Sequence, residues 1–303
     1  MIRGEVENEL FPSSDWRCLL PNPVSASVVA VGSGPASDAA TRSWPTCRVI
    51  DDLGAVDPSI EEGWADLVVA GSFDRSTLSM VKRMLGPNGV AYVESDWPYR
   101  RRAGWFSRRV TRAGFEIGPM YAVAVGADRW APSWWIPVGG VAATRFVAHS
   151  GRDKDSKRGL RRRLADLPIW LAGRLPHLVS RHPLMLHPRR THRVGVVMTR
   201  SDSVSGTKKN PVDLQPALRP DDGRRPTNVA MRIGGSSTDQ PILFFFDASD
   251  SDRTAEPTAV VKAPTRTEEV DASRHEANVL VHLAERPIPV EGVPRPVAVT
   301  GAA

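Results

Sequence analysis

Along the first 125 positions the apolar residues gather into short runs, each closed by a turn signal, with no continuous helical stripe. Ser27–Val31 (SVVAV) stops at Gly32-Ser33-Gly34-Pro35, and Arg48–Ile50 stops at Asp51-Asp52. Ala65–Ala70 (ADLVVA) stops at Gly71, and Val90–Glu94 follows the turn Gly86-Pro87-Asn88-Gly89. Short, nearly all-apolar runs rich in β-branched residues predict strands buried on both faces. The intervening segments predict helices over Ala36–Arg42, Ser76–Leu85 and Trp105–Ala113, the last stopped by Gly114. Phe115–Val125 predicts one or two more strands. Strands alternating with helices predict a doubly wound α/β domain around a mostly parallel sheet.

The pattern then changes. Leu160, Leu164, Leu167, Leu171, Leu175 and Leu178 recur at helical spacing with arginines opposite, and Pro168 and Pro176 break the stretch into short helices. Arg193–Thr199 (RVGVVMT) predicts a returning strand. From Ser201 to Thr227 the composition is polar and proline-containing, which predicts a linker. A smaller α+β unit is expected after it, with strands at Asn228–Ile233, Pro241–Phe246, Ala259–Lys262 and Val297–Val299 and a helix at Ser273–Arg286. The expected layout is an α/β domain over 1–200 with a basic helical extension at 151–200, a linker at 201–227 and a second unit at 228–303.

Charge alters this picture in one place. The net charge is +6, but residues 151–200 hold thirteen Lys/Arg against three Asp/Glu, so the rest of the chain is net acidic. The high isoelectric point thus belongs to one segment and does not argue for nucleic-acid binding. Arg161-Arg162-Arg163 reads as a solvated helix face, with an anionic membrane surface or nucleic-acid phosphates as alternatives. Arg100-Arg101-Arg102 would suit a phosphorylated substrate. His177, His182, His187 and His192 recur every five residues, a spacing that rotates side chains off one helical face, and Pro183 and Pro188 interrupt it; no metal is expected. Two cysteines, Cys18 and Cys47, form neither a disulfide framework nor a zinc site, and no apolar stretch is long enough to span a bilayer. A cytoplasmic protein is expected.

The candidate chemistry begins where the first strand ends. A glycine turn between a strand and its helix lets backbone N–H groups approach a ligand, and an acid closing the second strand accepts hydrogen bonds from ribose hydroxyls. Gly32 and Gly34 form that turn, and Asp51 or Asp52 supplies the acid. With ADLVVAG, a helix ending in LGPNG, the strand VAYVES and a helix ending in AGFE, Ser27–Val125 resembles the class I S-adenosylmethionine (SAM) methyltransferases. The resemblance implies SAM at Gly32, Gly34, Asp51 or Asp52, with Ala70 and Gly71 facing the cofactor. The family's acid two residues before the first glycine is here Ala30, and its third glycine is Ala36. Asp74 is the one candidate base between Gly71 and Arg75. Trp97, Tyr99, Trp130, Trp134 and Trp135 would line an opening for a sugar or aromatic acceptor, with core packing the alternative for the Trp134-Trp135 pair.

A second resemblance covers Asn228–Ala303. AVVKAP, SRHEANVLVHLAER and GVPRPVAV are similar to the small lobe of aminoglycoside phosphotransferase-like kinases. That implies Lys262 as a vestigial nucleotide-phosphate lysine, Glu276 as its partner, and Gly234-Gly235-Ser236-Ser237 near the nucleotide. No catalytic or metal-binding aspartate of a large lobe follows, so phosphoryl transfer by this chain alone is not expected. The expected function is methyl transfer to a small molecule; a non-catalytic scaffold, or half of a split phosphotransferase completed by a partner chain with the large lobe, are the alternatives.

Overall fold

The computed structural model describes residues 16, 19–20, 27–51, 62–96, 103–125, 133–150, 180–181, 191–201, 228–233, 241–246, 257–262, 271 and 273–279. The elements are β1 (Val28–Val31), α1 (Pro35–Ser43), β2 (Arg48–Ile50), β3 (Ala65–Ala70), α2 (Arg75–Met84), β4 (Leu85–Asp96), α3 (Ala103–Arg112), β5 (Phe115–Val125), β6 (Ser133–Pro137), α4 (Val141–Ser150), β7 (Thr191–Arg200), β8 (Asn228–Ile233), β9 (Ile242–Phe246) and β10 (Ala259–Lys262). All ten strands join one sheet in the order β10-β9-β8-β6-β5-β7-β4-β3-β1-β2.

The sheet is mixed. β2, β1, β3 and β4 pair in parallel, as the run-and-helix alternation predicts. Beyond β4 every ladder is antiparallel, which corrects the expectation of a mostly parallel sheet. The cause is β7, which returns from a distant part of the chain and inserts between β4 and β5, running against both. β5 then continues to β6, and β6 pairs with β8. The strands of the expected second unit thus prolong the same sheet. Residues 202–227, the basic helical stretch and the Val297–Val299 strand lie outside the described residues.

Burial follows strand parity. On one face Val29, Val31, Val68, Ala70 and Val93 pack under Leu78, Val81 and Met84 of α2 and Phe106 and Val110 of α3. On the other, Val28, Ala30, Leu67, Val69 and Tyr92 pack under Ala36 and Ala40 of α1 and under Trp16, Leu19 and Leu20. α4 closes the first face farther along, over Trp134, Ile136, Phe244 and Phe246. A fully buried side chain of these kinds contributes on the order of 2 kcal/mol, so the two-sided burial rather than helix propensity holds the layers together.

The turn signal Gly86-Pro87-Asn88-Gly89 falls within β4, where it forms an irregularity. Ala65 faces Leu85 and Leu67 faces Val90, so four residues of β4 loop out against one of β3. A Cβ on Gly89 would stand 2.6 Å from the Ala65 carbonyl oxygen, and only glycine allows that approach.

Candidate functional site

β1 sends its helix toward β2, yet its other neighbour is β3, so the strand order reverses at the carboxyl end of β1. In open α/β sheets that reversal opens a crevice between diverging connections, where ligands bind. The glycine turn stands there. Gly32 takes a φ of +67°, and its N–H donates to the Ile50 carbonyl at 2.8 Å, tying the end of β1 to the end of β2. This brings the exposed Asp51 next to the turn. Gly34 caps α1 with a φ of +150°, and Pro35 opens the helix at a position where no N–H is required.

The three site glycines do different jobs. A Cβ on Gly71 would lie 2.2 Å from the Ser33 carbonyl oxygen, and one on Gly34 would lie 3.1 Å from the Gly71 Cα. Those two residues let the backbones after β1 and β3 touch. A Cβ on Gly32 would meet nothing within 4 Å, so the space beside this residue is open. Ala70 is fully buried in the core under α2 and α3, and Asp52 lies outside the described residues.

Asp74, the candidate base, is committed elsewhere. It caps α2, accepting from the Thr77 N–H at 2.7 Å, the Thr77 hydroxyl at 2.9 Å, and the Ser72 and Ser76 hydroxyls at 2.6 Å each. Partial burial works against its charge, but these hydrogen bonds outweigh that and hold its carboxyl well below the usual carboxylate range. A carboxylate so stabilised is a poor proton acceptor. Its depressed pKa gives stability that is present above the unfolded value, about 4, and is lost as pH falls through the folded value. Asp74→Ala is therefore expected to lower unfolding free energy by about 1–2 kcal/mol at neutral pH, and by less on acidification, measured by urea titration.

Of the aromatic residues proposed to line an acceptor opening, Trp134 and Trp135 are core residues of β6, 3% and 1% exposed. Trp134 stacks on Phe244, and the Trp135 indole N–H donates to the Tyr92 hydroxyl at 3.3 Å. Trp97, Tyr99 and Trp130 lie outside the described residues. Lys262, ending β10, forms an ion pair with Glu276 in the helical residues 273–279; both side chains are about half exposed. The structure brings this pair together at the far edge of the sheet. Residues 234–237 lie outside the described residues. Among the described residues, no three His, Cys, Asp or Glu side chains group as a metal site, and no helix is long and apolar enough to cross a membrane.

One polar chain was not visible in the sequence. Glu94, fully buried near the carboxyl end of β4, accepts from the Tyr92 hydroxyl at 2.7 Å and from Arg193 Nη1 at 3.2 Å. Arg193 begins its run on β7 opposite Asp96, and Gly195 lies opposite Glu94. A Cβ on Gly195 would sit 2.4 Å from the Tyr92 hydroxyl, so that glycine makes room for the phenol. Burial raises the Glu94 pKa despite its two donors, and burial together with the Glu94 charge raises that of Tyr92. Glu94 shares the parity of the inward-facing Tyr92, and an acid at such a position was the available signal. Its partner, 99 residues away, left none.

No family model matches the chain, and no curated protein does. Among solved structures it is similar to a TehB-like SAM-dependent methyltransferase from Corynebacterium glutamicum, at 17% identity and a TM-score of 0.27, over 38% of this chain and 78% of that one. It is also similar to a SAM-dependent methyltransferase from Thiobacillus denitrificans in complex with S-adenosyl-L-homocysteine, at 12% identity and a TM-score of 0.30, over 62% of this chain and 90% of that one. These are likenesses of part of the chain. Nothing in the comparisons supports a kinase small lobe, and the strands assigned to one prolong the same sheet from β6.

Proposed function

We propose that the chain binds SAM at the carboxyl end of β1 and transfers its methyl group to a small molecule. The observation that carries this reading is the open space beside Gly32 at the reversal of strand order, next to the exposed Asp51. Gly32 and Gly34 would meet the amino-acid part, Asp51 the ribose hydroxyls, and the backbone at Ala70-Gly71 the remaining edge of the ligand. Bound SAM supplies an electrophilic methyl carbon on a sulfonium; the protein's part is to align an acceptor with it, which needs placement more than acid–base chemistry.

The commitment of Asp74 as a helix cap favours a second reading, a domain that binds the ligand without catalysis. Calorimetric titration with S-adenosylhomocysteine tests what the two share. Saturable binding is expected, weakened about tenfold or more by Asp51→Asn, the scale of one hydrogen bond to a charged group. Absence of heat at millimolar ligand would dispose of both readings.

A further inference from the structure

α3 returns from the carboxyl end of β4 to the start of β5. The Cα–Cβ bonds of a helix tilt toward its N-terminus, so the side chains of α3 lean toward the end of the sheet that carries the glycine turn. Arg109 follows that lean. Its Nε donates to the carbonyl of Phe73, 36 residues away in the chain. Its guanidinium lies 5.2 Å from the centre of the Trp105 ring, one helical turn nearer that end.

The carbonyl it reaches belongs to the loop after β3. Ser72 and Phe73 alone separate Gly71, which is pressed against Ser33, from Asp74, the cap of α2. Those two contacts fix the ends of the loop, and α3 holds its middle. The Phe73 ring is buried and stands edge-on to Phe106, with centroids 5.2 Å apart. The Phe73 carbonyl precedes the first turn of α2, and among the described residues no backbone N–H donates to it. A buried carbonyl needs a partner, and Arg109 provides one.

Stability alone does not explain an arginine here. A guanidinium near the start of α2 adds positive charge where the helix dipole is already positive. No carboxylate among the described residues pairs with it, and Asp74 commits its oxygens to the Thr77 N–H and to three hydroxyls. What the charged donor achieves is direction: a charge-assisted hydrogen bond holds the Phe73 carbonyl toward α3 and the peptides from Gly71 onward in one orientation. We propose that Arg109 is a positioning residue of the SAM site: by holding the Phe73 carbonyl it keeps the Gly71 backbone seated against Ser33, and with it the shape of the open space beside Gly32. This rests on the SAM reading above and adds that α3, which contributes no residue to the glycine turn, sets the affinity of the site.

The test is calorimetric titration of full-chain variants with S-adenosylhomocysteine, each paired with a urea midpoint. Arg109→Met keeps the apolar stem and removes the donor. With the loop correctly seated about a tenth of the time, affinity is expected to fall about tenfold. Arg109→Lys carries its ammonium one bond beyond the position of the arginine Nε and is expected to recover most of that loss by donating to the same carbonyl. Arg108, on the exposed side of α3, donates to the Gly104 carbonyl, and Arg108→Met is expected to bind as the wild type does. Wild-type affinity in Arg109→Met overturns the proposal. So does a lysine variant as weak as the methionine one, since helix packing and not the donated bond would then be responsible. Should Arg109→Met not fold, the lysine variant decides: near wild-type affinity supports the proposal, and a tenfold loss at an unchanged midpoint overturns it. Failure of the wild type to bind overturns the SAM reading itself, and this role with it.

Discussion

Gly71→Ala is expected to abolish ligand binding and to lower stability by about 3 kcal/mol, the upper part of the range for an overpacked site. The added methyl would stand 2.2 Å from a backbone oxygen of Ser33. A flexible side chain in that place would swing aside; a carbonyl at the end of a buried strand carries β1 with it. The turn must then lift away from β3, which displaces Gly32 and with it the open space beside that residue where the ligand is expected to lie. A urea midpoint and an S-adenosylhomocysteine titration on the same variant measure both effects. A variant with wild-type midpoint and affinity would show that the contact between the two loops is dispensable.

Glu94→Gln is the second change expected to act strongly. Glutamine retains an acceptor for the Tyr92 hydroxyl but leaves the mostly buried Arg193 without its counter-charge, an arrangement that costs about 3–5 kcal/mol when the cation is fully enclosed. Arg193 keeps 17% of its side chain exposed, which places the expectation at the lower end of that range. Removing both charges, as in Glu94→Gln with Arg193→Met, should recover part of the loss, and a double-mutant cycle in urea measures the coupling. Burial raises the folded pKa of Glu94, so removing its charge returns part of that loss at neutral pH, and the net cost of Glu94→Gln comes from the amide nitrogen set against the Arg193 guanidinium in place of an acceptor.

The half of the sheet from β1 to β4 was legible because its strands are short apolar runs with glycine punctuation and its helices lie between them in sequence. The observed α1, α2 and α3 begin and end within two residues of the expected positions. β7 was foreseen as a strand from RVGVVMT, but its direction and its place between β4 and β5 depend on contacts far apart in sequence, which no local pattern encodes. β6 was missed as a strand because Trp134 and Trp135 offer equally good material for a pocket wall; α4 was missed because Val141–Ser150 has apolar residues on more than one side. Within the site, the Gly32–Gly34 turn was visible as a motif. That Gly71 touches Ser33 was not, since nothing in its own neighbourhood distinguishes a glycine that ends a strand from one pressed against another backbone. Asp74 illustrates the reverse problem. Chemically it is a base, and only the three hydroxyl-bearing neighbours that fold onto it reveal it as a cap.

The unbroken ladder from β2 to β10 has a consequence for dissecting this molecule. A fragment ending near Ser201 would not be a trimmed domain with a tail removed. It would display β6 as a raw border, with the N–H and C=O groups that now serve β8 unpaired beside the uncovered indoles of Trp134 and Trp135. Such a border recruits other chains. Shortened versions should therefore be judged first by whether they remain dispersed, and only then by what they bind.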